Sequence, residues 1–585
     1  MTSKKILRGQ KLILWSSTWA LLSAVAAEAF SALASSSSTA PTSVIVVGGG
    51  PIGLATAITL SRPPHSCQVT VLERQEGNGQ ALYDPTRSYL YNVNPRGLLW
   101  FDRHLKTTNY PNSTEIDDQL FLRLTQKGSA TTQGMGNIMV VPADPNVPLP
   151  APRPVTLGTG NVTVSMKRSY WIPRHQMVEI LQEECHRHNV TLLHGKQFQS
   201  LSANETAVTV SCADGSEYTA SLVVAADGYE SPVREYLRQC NSQDWCAAPQ
   251  WKVRRYLSPA TGVKLKALQF PPNFTIPNGT ESVVTDSEGI YVVRGTKDGS
   301  RTRLGLGFLP VKDPNLVRPA NTNTRPDHLI WSIKDGPSMK QYFQENFPRF
   351  EWDNYVSEEE WERFSQAKGT SFPFCQYSTG AAVWSASGNA GVVLVGDACH
   401  AFPPDIGQGI NAGLQDIVAL DQSLRGEDIN TRVVETSVQN STPITAPTLS
   451  SALAAYRKNR VAEHRALIRL ARFGAPYQYR QPWLRDRIGR FLWTLNVALR
   501  IMLSKLLPSI CPPPAVLLTN QRPDLTFRQV MRRADTLTLV LQILVLQLLG
   551  LRLGLLKAKW LLSSWISTSA FYAASLLVRN TKKAA

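Results

Sequence analysis

Gly48, Gly50 and Gly53 stand in the order Gly-x-Gly-x-x-Gly, between the β-branched run Val44–Val47 and an apolar stretch with helical spacing. A tight turn, a close approach of backbone to pyrophosphate, and close packing of helix on strand each require a glycine at one of these places. The helix that follows directs its first amides and the positive end of its dipole at the phosphates. A second strand, Val69–Leu72, runs into Glu73, twenty residues past Gly53, where a carboxylate accepts from ribose hydroxyls. Glycines alone would describe only a turn. Strand, turn, helix, strand and acid in this order describe a dinucleotide site.

Two further stretches carry the same logic. Leu222–Ala225 reads as a strand running into Asp227-Gly228 and on to Arg234. Gly391–Val395 reads as another, ending in Gly396-Asp397 and followed by Pro403-Pro404-Asp405-Ile406-Gly407-Gln408-Gly409-Ile410-Asn411. Carboxylates at the carboxyl ends of parallel strands lie at the sheet edge where ligands bind. Small residues and prolines ahead of a helix opening near Gly409 leave room for a flat ligand. Arg174 heads a stretch with helical periodicity. His400, just past the second glycine turn, reads as structural rather than as a base.

The elements around these motifs divide the chain. Residues 1–43 have the basic, apolar, small-x-small order of a presequence, followed by a Ser/Thr-rich, acid-free stretch. They set an expectation of entry into the secretory pathway, a plastid or another organelle. Residues 44–250 and 386–430 read as two parts of one nucleotide-binding α/β domain, with an irregular Pro/Gly-rich insertion at about 102–165. Between them, 251–385 alternates as an antiparallel sheet does. Residues 450–535 read as basic helices, and 536–580 as one or two membrane-anchoring segments, the stronger being the uncharged run Trp560–Val578.

Net charge is +17, and residues 451–535 carry 16 Lys or Arg against four carboxylates. Beside a hydrophobic tail this suits anionic lipid. No zinc-finger spacing or aromatic RNA-binding signature accompanies it, so nucleic acid is not the expected partner. The eight cysteines are scattered and form no metal site; Cys240 and Cys246 are near enough in sequence to bridge.

Taken together, the three dispersed signatures and Arg174 resemble the class A flavoprotein aromatic monooxygenases, over most of residues 44–475. The resemblance implies a Rossmann-like FAD-binding domain interleaved with an α+β substrate domain, then a helical C-terminal region and membrane anchor. It implies that FAD is held by Gly48, Gly50, Gly53, Glu73, Arg74, Arg174, Asp227, Gly228 and Asp397. Pro404, Gly407, Gly409, Ile410 and Asn411 would surround the flavin ring. NAD(P)H would reduce the flavin in transient contact, and O2 would add as a C4a-hydroperoxide that hydroxylates a small aromatic. The hard chemistry belongs to the cofactor, so no side chain is assigned a catalytic role and no metal is needed. Kynurenine 3-monooxygenases are the most alike within the class, through Arg87-Ser88, Arg96-Gly97, the Gly407–Gly413 run and the hydrophobic tail. There are departures. Those enzymes grip a substrate carboxylate with an Arg, for which Arg123 is a candidate, and a Tyr to which no particular residue here is assigned. Their C-terminal Asn falls near Gly474. The resemblance also leaves open an epoxidase acting on an isoprenoid or polyketide, and a flavin-binding membrane scaffold without turnover.

Overall fold

The computed structural model describes residues 42–77, 89–107, 119–132, 137–150, 153–154, 168–239, 245, 251–296, 303–427, 448–477 and 483–552. Its centre is a six-stranded sheet built from β1 (Ser43–Val47), β2 (Gln68–Leu72), β3 (Thr191–Leu193), β4 (Leu222–Ala225), β5 (Ala382–Trp384) and β6 (Gly391–Leu394). The order is β5-β6-β4-β1-β2-β3. All neighbours are parallel except the edge pair β5 and β6. Strands covered on both faces read as unbroken apolar runs, and Val44–Val47 and Leu222–Ala225 are fully buried. Because β1, β4 and β6 are adjacent and parallel, the three glycine turns that follow them emerge at the same edge.

Helices α1 (Pro51–Ser61), α2 (Arg174–Arg187) and α3 (Gly409–Leu424) pack on this sheet. Pro51 occupies the first helical position of α1, where a missing N–H costs nothing. Deep in the core, the Thr56 and Thr59 hydroxyls donate to the Ile52 and Ala55 carbonyls at 2.7 and 2.8 Å, so neither is an unpaired polar group.

A seven-stranded second sheet carries the expected antiparallel strands of residues 251–385, among them Lys264–Phe270, Ile290–Arg294, Gly305–Phe308 and Arg318–Thr324. Its core is aromatic, with Phe270, Phe274, Phe308, Phe343, Trp352 and Trp361 in edge-on or tilted contact. The insertion at 102–165 departs from expectation. It supplies a helix, Gln119–Lys127, and the strand Asn137–Pro142, which pairs in parallel with Ile290–Arg294. Ile138-Met139-Val140-Val141 is apolar and β-branched, a signal overshadowed by the Pro and Gly residues around it.

The basic region is helical as expected: α4 (Leu449–Phe473), α5 (Leu484–Leu506), a short helix Ala515–Gln521, and α6 (Phe527–Arg552). Thr448 caps α4 by accepting from Ser451 N at 3.3 Å. The anchor expectation is corrected for α6: among the described residues no helix is long and apolar enough to cross a membrane. Its Leu, Val and Ile side chains are interrupted by Arg532, Arg533, Asp535 and Gln542, and Phe527, Val530 and Leu537 are buried in protein. The run Trp560–Val578, Cys240, Cys246 and residues 1–41 lie outside the described residues.

Gly53 is the tightest point of the first βαβ unit. A Cβ there would stand 1.9 Å from the Gly48 carbonyl oxygen. Neither backbone can retreat without opening the strand–helix contact, so Gly53→Ala costs on the order of 1–3 kcal/mol. A lowered thermal midpoint and lowered yield of folded protein are expected; an unchanged midpoint would refute this packing.

Candidate functional site

The turn after β1 is held from two sides. Gly48 adopts φ +108°, which excludes a side chain, and donates from its N–H to the Leu72 carbonyl at 2.8 Å. A Cβ on Gly48 would meet the Ala226 oxygen at 2.6 Å, so the β1 and β4 turns touch directly. Gly49 N donates to Glu73 Oε2 at 2.7 Å, and Gln75 N to Glu73 Oε1 at 2.9 Å. Glu73 is thus fixed at the end of β2, half-buried, with Arg74 exposed beside it. Gly50 differs from its neighbours: a Cβ there would meet no atom within 4 Å, and no side chain caps α1. The open side of this turn has the room that a closely approaching pyrophosphate requires.

The β4 turn is organised by Asp227. Its Oδ2 accepts from Val233 N at 3.0 Å, while Oδ1 is buried and finds no hydrogen-bond partner among the described residues. Burial pushes this carboxyl above its usual range, against the Ser231 and Val233 bonds that lower it. Gly228 follows at φ +85°, with open space where a Cβ would stand. Buried Arg234 then reaches across, donating from Nη1 to the Ala398 carbonyl and from Nη2 to the Tyr229 carbonyl, both at 2.8 Å. The second and third motifs are therefore one bonded unit.

In the β6 turn the Asp397 side chain is exposed although every residue flanking it is buried. Nearby walls nonetheless push its carboxyl up, and Asp416 behind it adds to the effect. A group both reachable by water and closely walled lines a cleft. The loop from Pro404 continues that lining. Pro404 and Gly407 are exposed, Gly409 and Ile410 half-buried, and Gly407 turns at φ +60°. Asn411 is held in place by its side chain. Its buried Oδ1 accepts from Asn94 N at 2.9 Å, and its Nδ2 donates to the Asn92 and Gly407 carbonyls at 2.9 and 3.0 Å. Its amide is spent on holding the loop, and only its backbone is left for a ligand. The space is tight enough that a Cβ on Gly97 would stand 2.3 Å from Asn411 Oδ1, which accounts for Arg96-Gly97.

Arg174 begins α2 next to Tyr89 and Tyr91. Burial lowers its pKa, but the two phenols and Glu73 outweigh this and leave it raised. Tyr91 is in turn pushed well above its ordinary value by burial, by Tyr89 and also by Asp397. In this tyrosine pair the two hydroxyls are 3.3 Å apart, and Tyr91 feels the charges of both Arg174 and Asp397. Sequence reasoning missed it, since a Tyr-x-Tyr beside a strand has no signature of its own. Asp405 was also missed. Burial raises its carboxyl to about 7, leaving it half-ionised at neutral pH on the loop ahead of α3.

Behind the cleft lies a buried polar hub. Asp416 on α3 accepts from Gly396 N at 2.9 Å and from Arg460 Nε at 2.7 Å, and its oxygens lie 2.7 and 2.8 Å from Nε2 of His400 and His464. Burial would raise its pKa, but Arg460 and the histidines hold it well below the carboxylate range. His400, Asp416 and His464 offer ligand atoms within 4.8 Å of one another. The Arg460 guanidinium sits on the same Asp416 oxygen, and a metal ion would face it in a dry interior. The cluster is an ion-pair hub, and His400 is structural, as expected.

A family model described as an FAD binding domain matches residues 41–240 and 340–427. These residues, just under half of the chain, are similar to that family's FAD-binding domain. The chain is 23% identical over 55% of its length to the FAD-dependent monooxygenase olcE of Penicillium canescens, spanning 63% of that protein. It is 26% identical over 66% of its length to a 3-(3-hydroxy-phenyl)propionate/3-hydroxycinnamic acid hydroxylase of Burkholderia cenocepacia, spanning 57% of it. Among solved structures, tetracycline destructase Tet(55) aligns over 79% of this chain and 96% of its own at 14% identity, with a TM-score of 0.46. The chain spans less than two thirds of the length of these curated relatives. Nearness to kynurenine 3-monooxygenases is not shown by these relatives. These relatives are fungal FAD-dependent monooxygenases and a bacterial phenolic-acid hydroxylase, and Arg87-Ser88 lie outside the described residues. Arg123 pairs with Glu183 at 2.8 Å, and Gly474 closes α4, where a Cβ would stand 2.2 Å from Val516.

FAD fits the residues present: an open glycine cradle, a ribose-level carboxylate in Glu73, an accessible Asp397, and a lining of backbone and proline. Gly50→Val leaves the protein unclashed but fills the cradle, so thermal stability of the apoprotein is expected to hold while bound flavin absorbance is lost. Retained flavin would refute the cradle. His464 gives a second test, since burial lowers its pKa from 6.5 to about 3. Between those values the unfolded chain binds a proton that the folded chain refuses, so stability falls as pH drops below 6.5. His464→Gln should shrink the loss of thermal midpoint between pH 7 and pH 5.

Proposed function

We propose that the protein is an FAD-dependent monooxygenase that spends NAD(P)H and O2 to hydroxylate a small, weakly polar phenol. The observation that carries this reading is the convergence of three turns, after β1, β4 and β6, on one sheet edge with Asp397 open to the cleft. When bound, FAD supplies the redox ring at which reductant electrons and O2 meet substrate.

This chain's residues bind, align and shield. Gly48–Gly53 and the start of α1 hold the pyrophosphate, and Glu73 accepts from the adenosine ribose. Asp397 accepts from the hydroxyls of the ribityl chain. Pro404 to Ile410 form the wall against the ring, stiffened by Asn411 from behind. Only one dinucleotide fingerprint, Gly48–Gly53, is present in this sequence, which favours a reductant that visits and leaves.

Phenol is preferred over kynurenine on chemical grounds. An amino acid entering a dry pocket must have both charges paired or lose several kcal/mol. Arg123 is engaged by Glu183, and Gly474 offers no amide. Missing one charge-assisted partner costs roughly 1.5–3 kcal/mol, about one to two powers of ten in affinity. The bacterial relative's phenolic substrates support the same choice.

The expected result with purified holoprotein is NAD(P)H oxidation stimulated by 3-hydroxyphenyl acids or simpler phenols, with a hydroxylated product rather than H2O2. Kynurenine should stimulate at least about tenfold less at equal concentration, by the affinity argument above. Tightly coupled kynurenine hydroxylation at micromolar concentration, or no oxygenated product from any phenol, would overturn the substrate reading.

A further inference from the structure

Helix α5 (Leu484–Leu506) presents a face that nothing in the described protein covers. Leu484, Ile488, Phe491, Leu492, Leu495, Leu499, Met502 and Leu506 recur at intervals of three and four residues and are all exposed, Leu484 by 71% and Phe491 and Leu506 by 68%. That spacing places them on one stripe of the helix. Its opposite side is committed to protein. Trp493 Nε1 donates to the Phe473 carbonyl at 3.1 Å, and buried Arg500 donates from Nη2 to Thr538 Oγ1 on α6 at 2.6 Å. Leu507 and Ile510 just past the helix, and Leu539, Leu544 and Leu546 on α6, are exposed as well.

We propose that this face docks the protein on an anionic lipid surface, with α5 lying in the plane of the interface rather than crossing it. Charge selects this occupant. Arg485 borders the stripe on one side, and Arg487, Arg490 and Lys505 lie toward the other, all exposed. Asp486 is the one acid of the helix and sits on its inner side against Arg485 at 3.4 Å. An apolar stripe between basic rims matches acyl chains below and lipid phosphates beside it. A second copy would set basic rim against basic rim, which is unfavourable. At 23 residues the helix is about 35 Å long by its rise per residue, so it lays down an extended contact rather than a point anchor. The inference is independent of the substrate and of turnover.

Flotation of the full chain with phosphatidylcholine vesicles, with and without phosphatidylserine, tests it. Salt-sensitive binding to the anionic vesicles is expected, weakened at least tenfold by the double change Phe491→Glu and Leu495→Glu with bound flavin unaltered. Should that variant misfold, Arg487→Gln with Arg490→Gln touches only exposed charges, and a loss of about fivefold per residue is expected. Binding that neither variant weakens would assign lipid contact to another segment and overturn the proposal. So would equal binding to neutral vesicles. Absence of vesicle binding together with a dimer that Phe491→Glu dissociates would assign the face to a second copy.

Discussion

A single buried carboxylate, Asp416, carries more of this structure than any other group. It receives the Gly396 amide, so the turn that presents Asp397 to the cleft is anchored from within. It also gathers Arg460 and His464 from α4 and His400 from the turn's far side. Three segments distant in sequence thus meet on two oxygens. A buried ion pair of this kind adds little net stability over an apolar core, but losing one partner strands the others at a cost of roughly 3–5 kcal/mol. The hub determines where the β6 turn sits relative to α3, and the cofactor loop inherits that position.

How much of this could be read from the chain depends on the range of the interaction. The β1 turn was legible because strand, turn, helix and acid all fall within thirty residues and each has a local reason. Asp227 and Asp397 were legible for the same reason, as carboxylates closing apolar runs. Asp416, Arg460 and His464 were not. A lone Asp, Arg or His on a helix reads as a solvated residue, and only the fold brings them together across 44 and 48 positions. Asn411 shows what a motif leaves unsaid: its side chain faces inward to Asn92 and Asn94. The strand Asn137–Pro142 escaped because Pro and Gly on both sides masked four good β-formers, and pairing with Ile290–Arg294 overrode the local signal.

The C-terminal helices show where hydropathy misleads. Leu-rich sequence in α6 reads as a span, yet part of it packs on α4 and on the short helix before it, and charges interrupt the rest. In α5 the exposed Leu, Ile, Phe and Met side chains are arranged as a stripe. Total hydrophobicity does not separate these cases, whereas its angular distribution does.

Arg96 gives the C-terminal region a significance that hydropathy does not. Fully buried and lowered to about 10 by that burial, it donates from Nε to the Thr519 carbonyl and from Nη2 to the Arg522 carbonyl, both at 3.2 Å, and stacks over Phe527 at 4.6 Å. Gln408, in the loop ahead of α3, likewise donates to Asn520 at 3.0 Å. The cationic head belongs to the nucleotide domain and its acceptors to the tail. A recombination junction placed between α4 and residue 515 would therefore separate a charge from its solvation shell. Chimaeras that trade this tail between relatives must carry the Arg96 helix with it, so the two segments form one unit of inheritance.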